Sequence, residues 1–168
     1  MLFRSHTAIL RQLESDIEAA RFDVSGEKIE LPVKLKAHES VFVPLAKWSM
    51  LVAGNYRCVQ KDAARSIKEA VHTDIDATRA VYNWVKKLCV GLGADEKDLV
   101  PFEKYAAAAQ SLVTPSSAAR ALFAGAPNIE RVDRLVKTIA AQKGEKSAVL
   151  DETVALVDAR LELNRKKA

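Results

Sequence analysis

The sequence predicts an all-α protein, a single domain of seven or eight helices. Its 168 residues are enough for one domain with a substantial core. Hydrophobic residues make up 49% of the chain and charged residues 29%, which is a globular composition and argues against general disorder. Only 6 glycines and 5 prolines are present, too few for a turn-rich all-β fold. Apolar residues recur at helical spacing through most of the chain.

The first predicted helix is amphipathic. Its apolar face consists of Ile9, Leu10, Leu13, Ile17 and Ala20. Ser5 or Thr7 is suited to cap the start of this helix, and Gly26 to mark its end. We therefore expect residues 1–26 to form an N-terminal helical segment that packs through its apolar face.

The next stretch, residues 28–36, alternates apolar and polar side chains in the order KIELPVKLK. A period of two indicates extended backbone. Pro32 lacks the N–H that an inner strand needs for pairing. We therefore predict an extended connection and not part of a sheet. The helical domain proper is predicted to span residues 27–163.

The most apolar helix is predicted over Ser40–Arg57, and the rest of the chain is organised around it. Pro44 suits a first helical turn. Apolar residues on several faces indicate a helix packed on most sides. Lys47 lies in its middle, and Asn55 follows about 80° further around the axis. Polar groups on a buried helix need partners or a wet cleft, which makes these two the first candidate functional residues.

Six further helices are predicted, each from a cap residue followed by an apolar face. The cap residues are Asp62, Thr73 (with Asp76 as its capping-box partner), Asp98, Ser116 or Ser117, Asn128 and Ser147. Residues 73–92 give the clearest helical pattern. Asn164–Ala168 is predicted to be a fraying basic tail.

The net charge of +4 is mildly basic and demands no particular partner. Arg57, Lys61, Arg65 and Lys68 would fall nearly in line if their region were helical throughout, and such a stripe could meet phosphates. No stacking aromatic is interleaved beyond Tyr56, so nucleic-acid binding is the weakest of the functions considered.

Several other classes find little support in the sequence. The two cysteines lack metal-motif spacing, His6, His38 and His72 are scattered, and no metal site is predicted. No apolar run approaches the ~20 residues of a membrane span. Without a recognisable leader, reduced thiols in a cytoplasm are expected. The stretch GLGADE, residues 91–96, lacks the third glycine of a dinucleotide fingerprint and ends a helix instead of opening one, so no cofactor-binding residue is predicted.

Two stretches carry a resemblance to a known family. The first runs Lys47-Trp-Ser-Met-Leu51-Val-Ala-Gly-Asn55, and the second comprises Thr114-Pro115-Ser116-Ser117, Gly125 and Ala126-Pro127-Asn128-Ile129-Glu130. Together they resemble the C-terminal helical domain of ketopantoate reductases, which reduce 2-dehydropantoate with NADPH. That family has a helix with Lys, Asn at +4 and Asn at +8, then Pro-Ser, a short helix, Gly and a Glu before a packing helix. The resemblance extends from about residue 20 to about residue 163.

The sequence departs from the family pattern at specific positions. Leu51 occupies the place of the first Asn, Trp48 follows Lys47 where a Trp is expected ahead of it, and Glu130 is displaced by about one residue. The dinucleotide-binding half that precedes this domain in the family has no counterpart in the sequence.

The resemblance implies a fold like the 6-phosphogluconate dehydrogenase C-terminal domain, with Lys47 and Glu130 as catalytic residues and Asn55 and Ser117 as substrate-binding residues. It implies a small 2-oxo acid ligand, and NADP only with a separate or missing dinucleotide-binding domain. Expected partners are a second copy or that domain. Whether the chain is an enzyme stays open, and the alternative is a non-catalytic helical interaction module.

Overall fold

The computed structural model describes residues 3–30, 33, 35–38 and 42–167, with side chains from His6 onward. It is predominantly helical, which confirms the all-α prediction. The α-helices within the described residues are α1 Phe3–Ala19, α2 Trp48–Met50, α3 Ile67–His72, α4 Ile75–Gly91, α5 Phe102–Ala109, α6 Ser117–Phe123, α7 Val132–Gln142 and α8 Ala148–Arg165. The chain divides into two compact units, Met1–Val41 and Phe42–Ala168.

The first unit contains a β-hairpin that the sequence did not predict. Strand β1, Arg21–Val24, pairs antiparallel with β2, Glu27–Glu30. Ser25 and Gly26 link them with φ angles of 56° and 88°, the left-handed conformations that a tight primed hairpin turn requires. The prediction of an unpaired connection is therefore wrong for residues 28–30, because Gly26 serves this turn and does not end α1. Leu31, Pro32 and Lys34 lie outside the described residues.

Helix α1 leaves much of its apolar face exposed. It begins at Phe3, so Ser5 and Thr7 lie inside it and the predicted cap is wrong. Ile9 is 65% exposed, and Leu10 and Leu13 are about half exposed. The segment after the hairpin contacts α1 through polar groups. Glu14 accepts hydrogen bonds from Lys36 Nζ at 2.6 Å and from the backbone N–H of Ala37 at 2.8 Å. None of the side chains described in this unit is buried.

The second unit has a core built around a run of helical turns at residues 43–58, called the mixed helix below. The mixed helix packs against α3, α4, α6 and α7. Val52 and Ala53 in its middle are 1% and 0% exposed. The predicted apolar faces of α4 and α8 are confirmed, because the buried side chains there include Val81, Tyr82, Val85, Leu88, Leu150, Val154, Val157 and Leu161.

Helix starts were predicted correctly at two positions and displaced at four. Ser116 caps α6 and Ser147 caps α8, as predicted. The other helices begin one to four residues later than predicted. Ser66 caps α3 with a full capping box to Glu69, Asp74 caps α4, Pro101 precedes α5 and Arg131 precedes α7.

The C-terminal helix extends further than predicted. Helix α8 continues to Arg165, and Asn164 is only 5% exposed. The Asn164 amide donates hydrogen bonds to the carbonyls of Leu122 and Ala126 at 2.8 and 2.9 Å. The prediction of a fraying tail is therefore wrong for Asn164 and Arg165, which belong to α8. Asn164 holds the connection between α6 and α7 in place.

Candidate functional site

The mixed helix changes its hydrogen-bonding pattern three times. Val43–Lys47 is a 3₁₀ segment with Pro44 in its first turn, Trp48–Met50 is α-helical, Leu51–Asn55 is a π-helical turn, and Tyr56–Cys58 is 3₁₀ again. The helix expected here is therefore present but irregular. Single π turns inside helices are rare and occur often at functional sites. This one ends at Asn55, one of the residues nominated from the sequence.

A close contact across the core holds the π turn in place. The Tyr105 hydroxyl donates to the carbonyl oxygen of Met50 at 3.3 Å, at the point where the α-helical pattern gives way to the π turn. Gly54 lies against the same ring, and a Cβ at this position would overlap the hydroxyl oxygen. The absence of a side chain at Gly54 therefore lets the tyrosine reach the helix backbone.

Asn55 is linked to the start of α6. Ser116 Oγ donates to the Asn55 carbonyl at 2.7 Å and accepts from the backbone N–H of Ala119 at 3.2 Å. Ser116 is 3% exposed, so this bond is shielded from water. Ser117, the next residue, is exposed. The buried Ser116 hydroxyl thus holds the backbone of Asn55 beside the first turn of α6, which contains Ser117.

Tyr56 makes the equivalent link to the loop ahead of α7. Its hydroxyl donates to the Glu130 carbonyl at 2.7 Å and accepts from the backbone N–H of Val132 at 3.0 Å. Burial raises the pKa of Tyr56 to about 12, so the phenol is neutral and able to donate. The consecutive residues Asn55 and Tyr56 therefore fix the segments that carry Ser117 and Glu130.

Lys47 lies at the end of the first 3₁₀ segment and is exposed. Within the part of the chain that the structure describes, its ammonium makes no ion pair, and none forms between it and the exposed Glu130 carboxylate. The sequence suggested that a charge on so apolar a helix needs an acidic partner or a wet pocket. Exposure to solvent satisfies the charge without either.

An arginine–aspartate network secures the residues that follow Glu130. Arg131 donates from Nε and Nη2 to the two carboxylate oxygens of Asp133 at 2.9 and 2.8 Å, and Asp133 is completely buried. Arg131 Nη1 also donates to Asp158, which accepts a second bond from Arg134. Burial acts to raise the pKa of Asp158, but the bonds from Arg131 and Arg134 lower it below its usual value.

Gly54, Tyr56, Arg131 and Asp133 were not nominated from the sequence. Tyr56 and Gly54 adjoin the nominated Asn55, but nothing in helical periodicity distinguishes a tyrosine that bridges segments from one that fills the core. Arg131 and Asp133 are two residues apart at a helix start, a spacing too common to single out. The identification of both pairs depends on contacts with distant segments.

The basic stripe expected from Arg57, Lys61, Arg65 and Lys68 is absent. The mixed helix ends at Cys58, a loop closed by a bridge between Val59 and Ala64 follows, and α3 begins at Ile67. The region is therefore not helical throughout, which was the condition for these four residues to fall in line.

The described residues contain no group of three His, Cys, Asp or Glu side chains placed to hold a metal ion. Their one sheet is the β1–β2 hairpin, which offers no glycine-rich turn from a strand into a helix for a dinucleotide. The clefts beside α7 and α8, of about 260 and 670 Å³, are lined by other residues than the four nominated ones. None of the helices in the described ranges is both long and apolar enough to cross a bilayer.

Comparisons with protein-family models, with curated proteins and with solved structures find no match to this chain.

Proposed function

We propose that this chain is the substrate-binding and dimerisation domain of a ketopantoate-reductase-like, NADPH-dependent oxidoreductase. The observation that supports the proposal best is a pair of partly buried hydrogen bonds, one between Ser116 and Asn55 and one between Tyr56 and Glu130, which span 61 and 74 residues of sequence. The bonds thereby attach the backbone of Glu130 and the residue before Ser117 to the mixed helix at Asn55 and Tyr56. The described residues do not fit a dinucleotide, so NADP would be bound by a domain outside the printed sequence.

The proposed roles follow from the charge that develops on the substrate. Reduction of a 2-oxo acid leaves negative charge on the carbonyl oxygen, which an ammonium can stabilise and protonate. Lys47 is the proposed donor, and its exposure leaves it accessible to a ligand. Asn55 and Ser117 would hydrogen-bond the substrate's hydroxyl or carboxylate. Glu130 would orient Lys47 or accept a hydrogen bond from the substrate once the ligand is bound.

An NMR titration with pantoate or a 2-oxo acid tests this function. We expect amide shifts at millimolar ligand that cluster at Lys47, Asn55 and Ser117 and disappear in Lys47→Ala. The matched control is Lys61→Ala, which removes an exposed lysine from the loop after the mixed helix and should leave the shifts unchanged. Absence of shifts in the folded wild-type protein would contradict the proposal and favour the interaction module.

The proposed partners rest on the apolar surface of the first unit. Alongside the exposed part of the α1 apolar face, the hairpin exposes 58% of Phe22, 45% of Val24 and 42% of Ile29. Exposed apolar side chains are one feature of interaction sites. The apolar face of α8, by contrast, is buried within the second unit. We infer that α1 carries the contact to a second copy, in the enzyme domain and in the alternative interaction module alike.

Light scattering coupled to size exclusion tests the contact. We expect the wild-type chain to be a dimer and Leu13→Lys to be a monomer, because a charge on the α1 face would have to be buried in the interface. Val113→Lys is the control, since Val113 is 70% exposed in the second unit and its substitution should leave the dimer intact. A wild-type monomer at high protein concentration would mean that α1 does not mediate self-association.

A further inference from the structure

Arg57 is a half-buried cation whose described contacts are neutral. Its Nη1 donates to Thr78 Oγ1 at 2.7 Å and to the Ala53 carbonyl at 3.3 Å. Neither acceptor carries a formal charge, and no carboxylate lies within ion-pair distance of Arg57 in the described chain. Burial lowers the pKa of Arg57, and the charge of Arg65 lowers it further. Arg57 therefore has no anionic hydrogen-bond partner among the described residues.

Arg65 supplies the second positive charge of this region. Its Nε donates to the Arg57 carbonyl at 2.9 Å, which places the Arg65 side chain against the Arg57 backbone. The backbone N–H of Arg65 also donates to the Cys58 carbonyl at 3.0 Å, so the loop that carries Arg65 is held against the end of the mixed helix. The two arginines are thus brought together by tertiary contacts and not by helical spacing.

The carboxylates nearest to Arg57 and Arg65 make no hydrogen bond to either guanidinium. Asp74, whose charge acts on Arg57, accepts from the Ala77 N–H as the cap of α4. Glu69, whose pKa is lowered in part by the charge of Arg65, accepts hydrogen bonds from both the backbone N–H and the hydroxyl of Ser66 in the capping box of α3. Glu152 acts on Arg57 only from a distance and is exposed. These groups moderate the positive potential without making a bond to either guanidinium.

The two guanidiniums retain donors that have no hydrogen-bond partner among the described residues. Arg57 keeps Nε and Nη2 free of hydrogen bonds, and Arg65 keeps Nη1 and Nη2. The only buried side-chain donor without a partner in the described part of the chain is Arg160 Nε, so these four atoms are not enclosed. The side chains of Arg57 and Arg65 are both partly exposed.

We propose that Arg57 and Arg65 form a binding site for a phosphate dianion, either inorganic phosphate or the phosphoryl group of a small ester. A phosphate carries a charge of nearly −2 and several acceptor oxygens, which match two guanidiniums with unused N–H groups. Bonds of this kind are charge-assisted and stronger than those that Arg57 makes to Thr78 and Ala53. The proposal does not depend on the proposed 2-oxo acid site.

NMR of the arginine side chains tests the site directly in the wild-type chain. Inorganic phosphate, titrated at constant ionic strength with chloride as the balancing anion, should shift the Nε–H resonances of Arg57 and Arg65 in a saturable manner. A parallel titration with glycerol 3-phosphate distinguishes the two sources, because tighter binding of the ester would assign the site to a phosphorylated small molecule. Shifts that do not saturate, or that chloride reproduces, would overturn the proposal.

Substitutions separate a built site from a diffuse basic surface. Arg65→Gln should weaken phosphate binding about tenfold or more, since it removes a charge-assisted contact. Arg65→Lys keeps the charge but loses the planar fork, and should bind with intermediate affinity. Lys61→Gln and Lys68→Gln remove nearby exposed charges and should change affinity less than about twofold. Equal losses from all three charge removals would contradict the assignment, whereas Lys47→Ala should leave phosphate binding intact even if the 2-oxo acid site fails.

Discussion

Gly54→Ala should destabilise the protein by about 2–3 kcal/mol, the upper part of the range for an overpacked core. The added Cβ would overlap the Tyr105 hydroxyl and approach Tyr105 Cζ to 3.1 Å and Val71 Cγ2 to 3.3 Å. Tyr105 and Val71 are 6% and 0% exposed, so neither can move into solvent without disrupting the core. Urea denaturation of the variant and the wild type measures the loss of unfolding free energy.

Two further variants identify the cause. Tyr105→Phe removes the overlapping oxygen, so we expect the Gly54→Ala/Tyr105→Phe double variant to be at least as stable as Gly54→Ala alone. Gly91→Ala is the matched control, because Gly91 ends α4 with no atom near the position of an added Cβ. It should be neutral or stabilising by up to about 1 kcal/mol. Similar losses for the two glycine variants would show that the tyrosine contact is not the cause.

The same contact explains why the π turn could not be predicted. Periodicity predicted a helix over Ser40–Arg57, since Leu45, Trp48, Val52 and their neighbours repeat at helical spacing. The structure has helical turns from Val43 to Cys58, and Ser40 and Val41 lie outside the described residues. The shift to π geometry coincides with a hydrogen bond from Tyr105, on α5, to Met50. A local sequence pattern cannot predict a contact with Tyr105, which lies 55 residues further along the chain. The hairpin was missed for a different reason: its two four-residue strands are exposed on all described positions, so no burial pattern distinguishes their faces.

The candidate site shows a similar division. Helical spacing identified Lys47 and Asn55 as polar residues on an apolar helix, and the structure places Asn55 beside the buried core and Lys47 in solvent. Ser117 and Glu130 were nominated through a family resemblance alone. The bonds that hold their segments against the mixed helix are made by Ser116 and Tyr56. In the sequence, Ser116 reads only as a helix cap and Tyr56 only as a core side chain, whether or not these bonds form.

Arg131→Met should cost about 3–5 kcal/mol of unfolding free energy, the range for removing one partner of a buried ion pair. Asp133 is completely buried and receives both of its side-chain hydrogen bonds from Arg131. Without the guanidinium, its carboxylate would be left uncompensated in the core. The change would also release Glu130, which precedes the arginine, so Tyr56 would be expected to lose its fixed contact with the loop.

Arg134→Met is the matched control for Arg131→Met. Arg134 bonds to the same Asp158 carboxylate but is 60% exposed, so its loss should cost no more than about 1 kcal/mol. The double variant Arg131→Met/Asp133→Asn should recover part of the stability lost in Arg131→Met, because the buried charge is removed together with its partner. No recovery would mean that the loss comes from altered packing and not from the unpaired carboxylate.

The pH dependence of the loss gives an independent test. The folded-state pKa of Asp158 lies below its usual value of 3.8, so this carboxylate stabilises the fold above that value and the contribution disappears as the pH falls through the folded-state pKa. Arg131 is one of the two donors responsible. The difference in unfolding free energy between wild type and Arg131→Met should therefore be largest near neutral pH and narrow below about pH 4. A difference that stays constant from pH 7 to pH 3 would contradict an electrostatic origin, since a packing defect does not titrate.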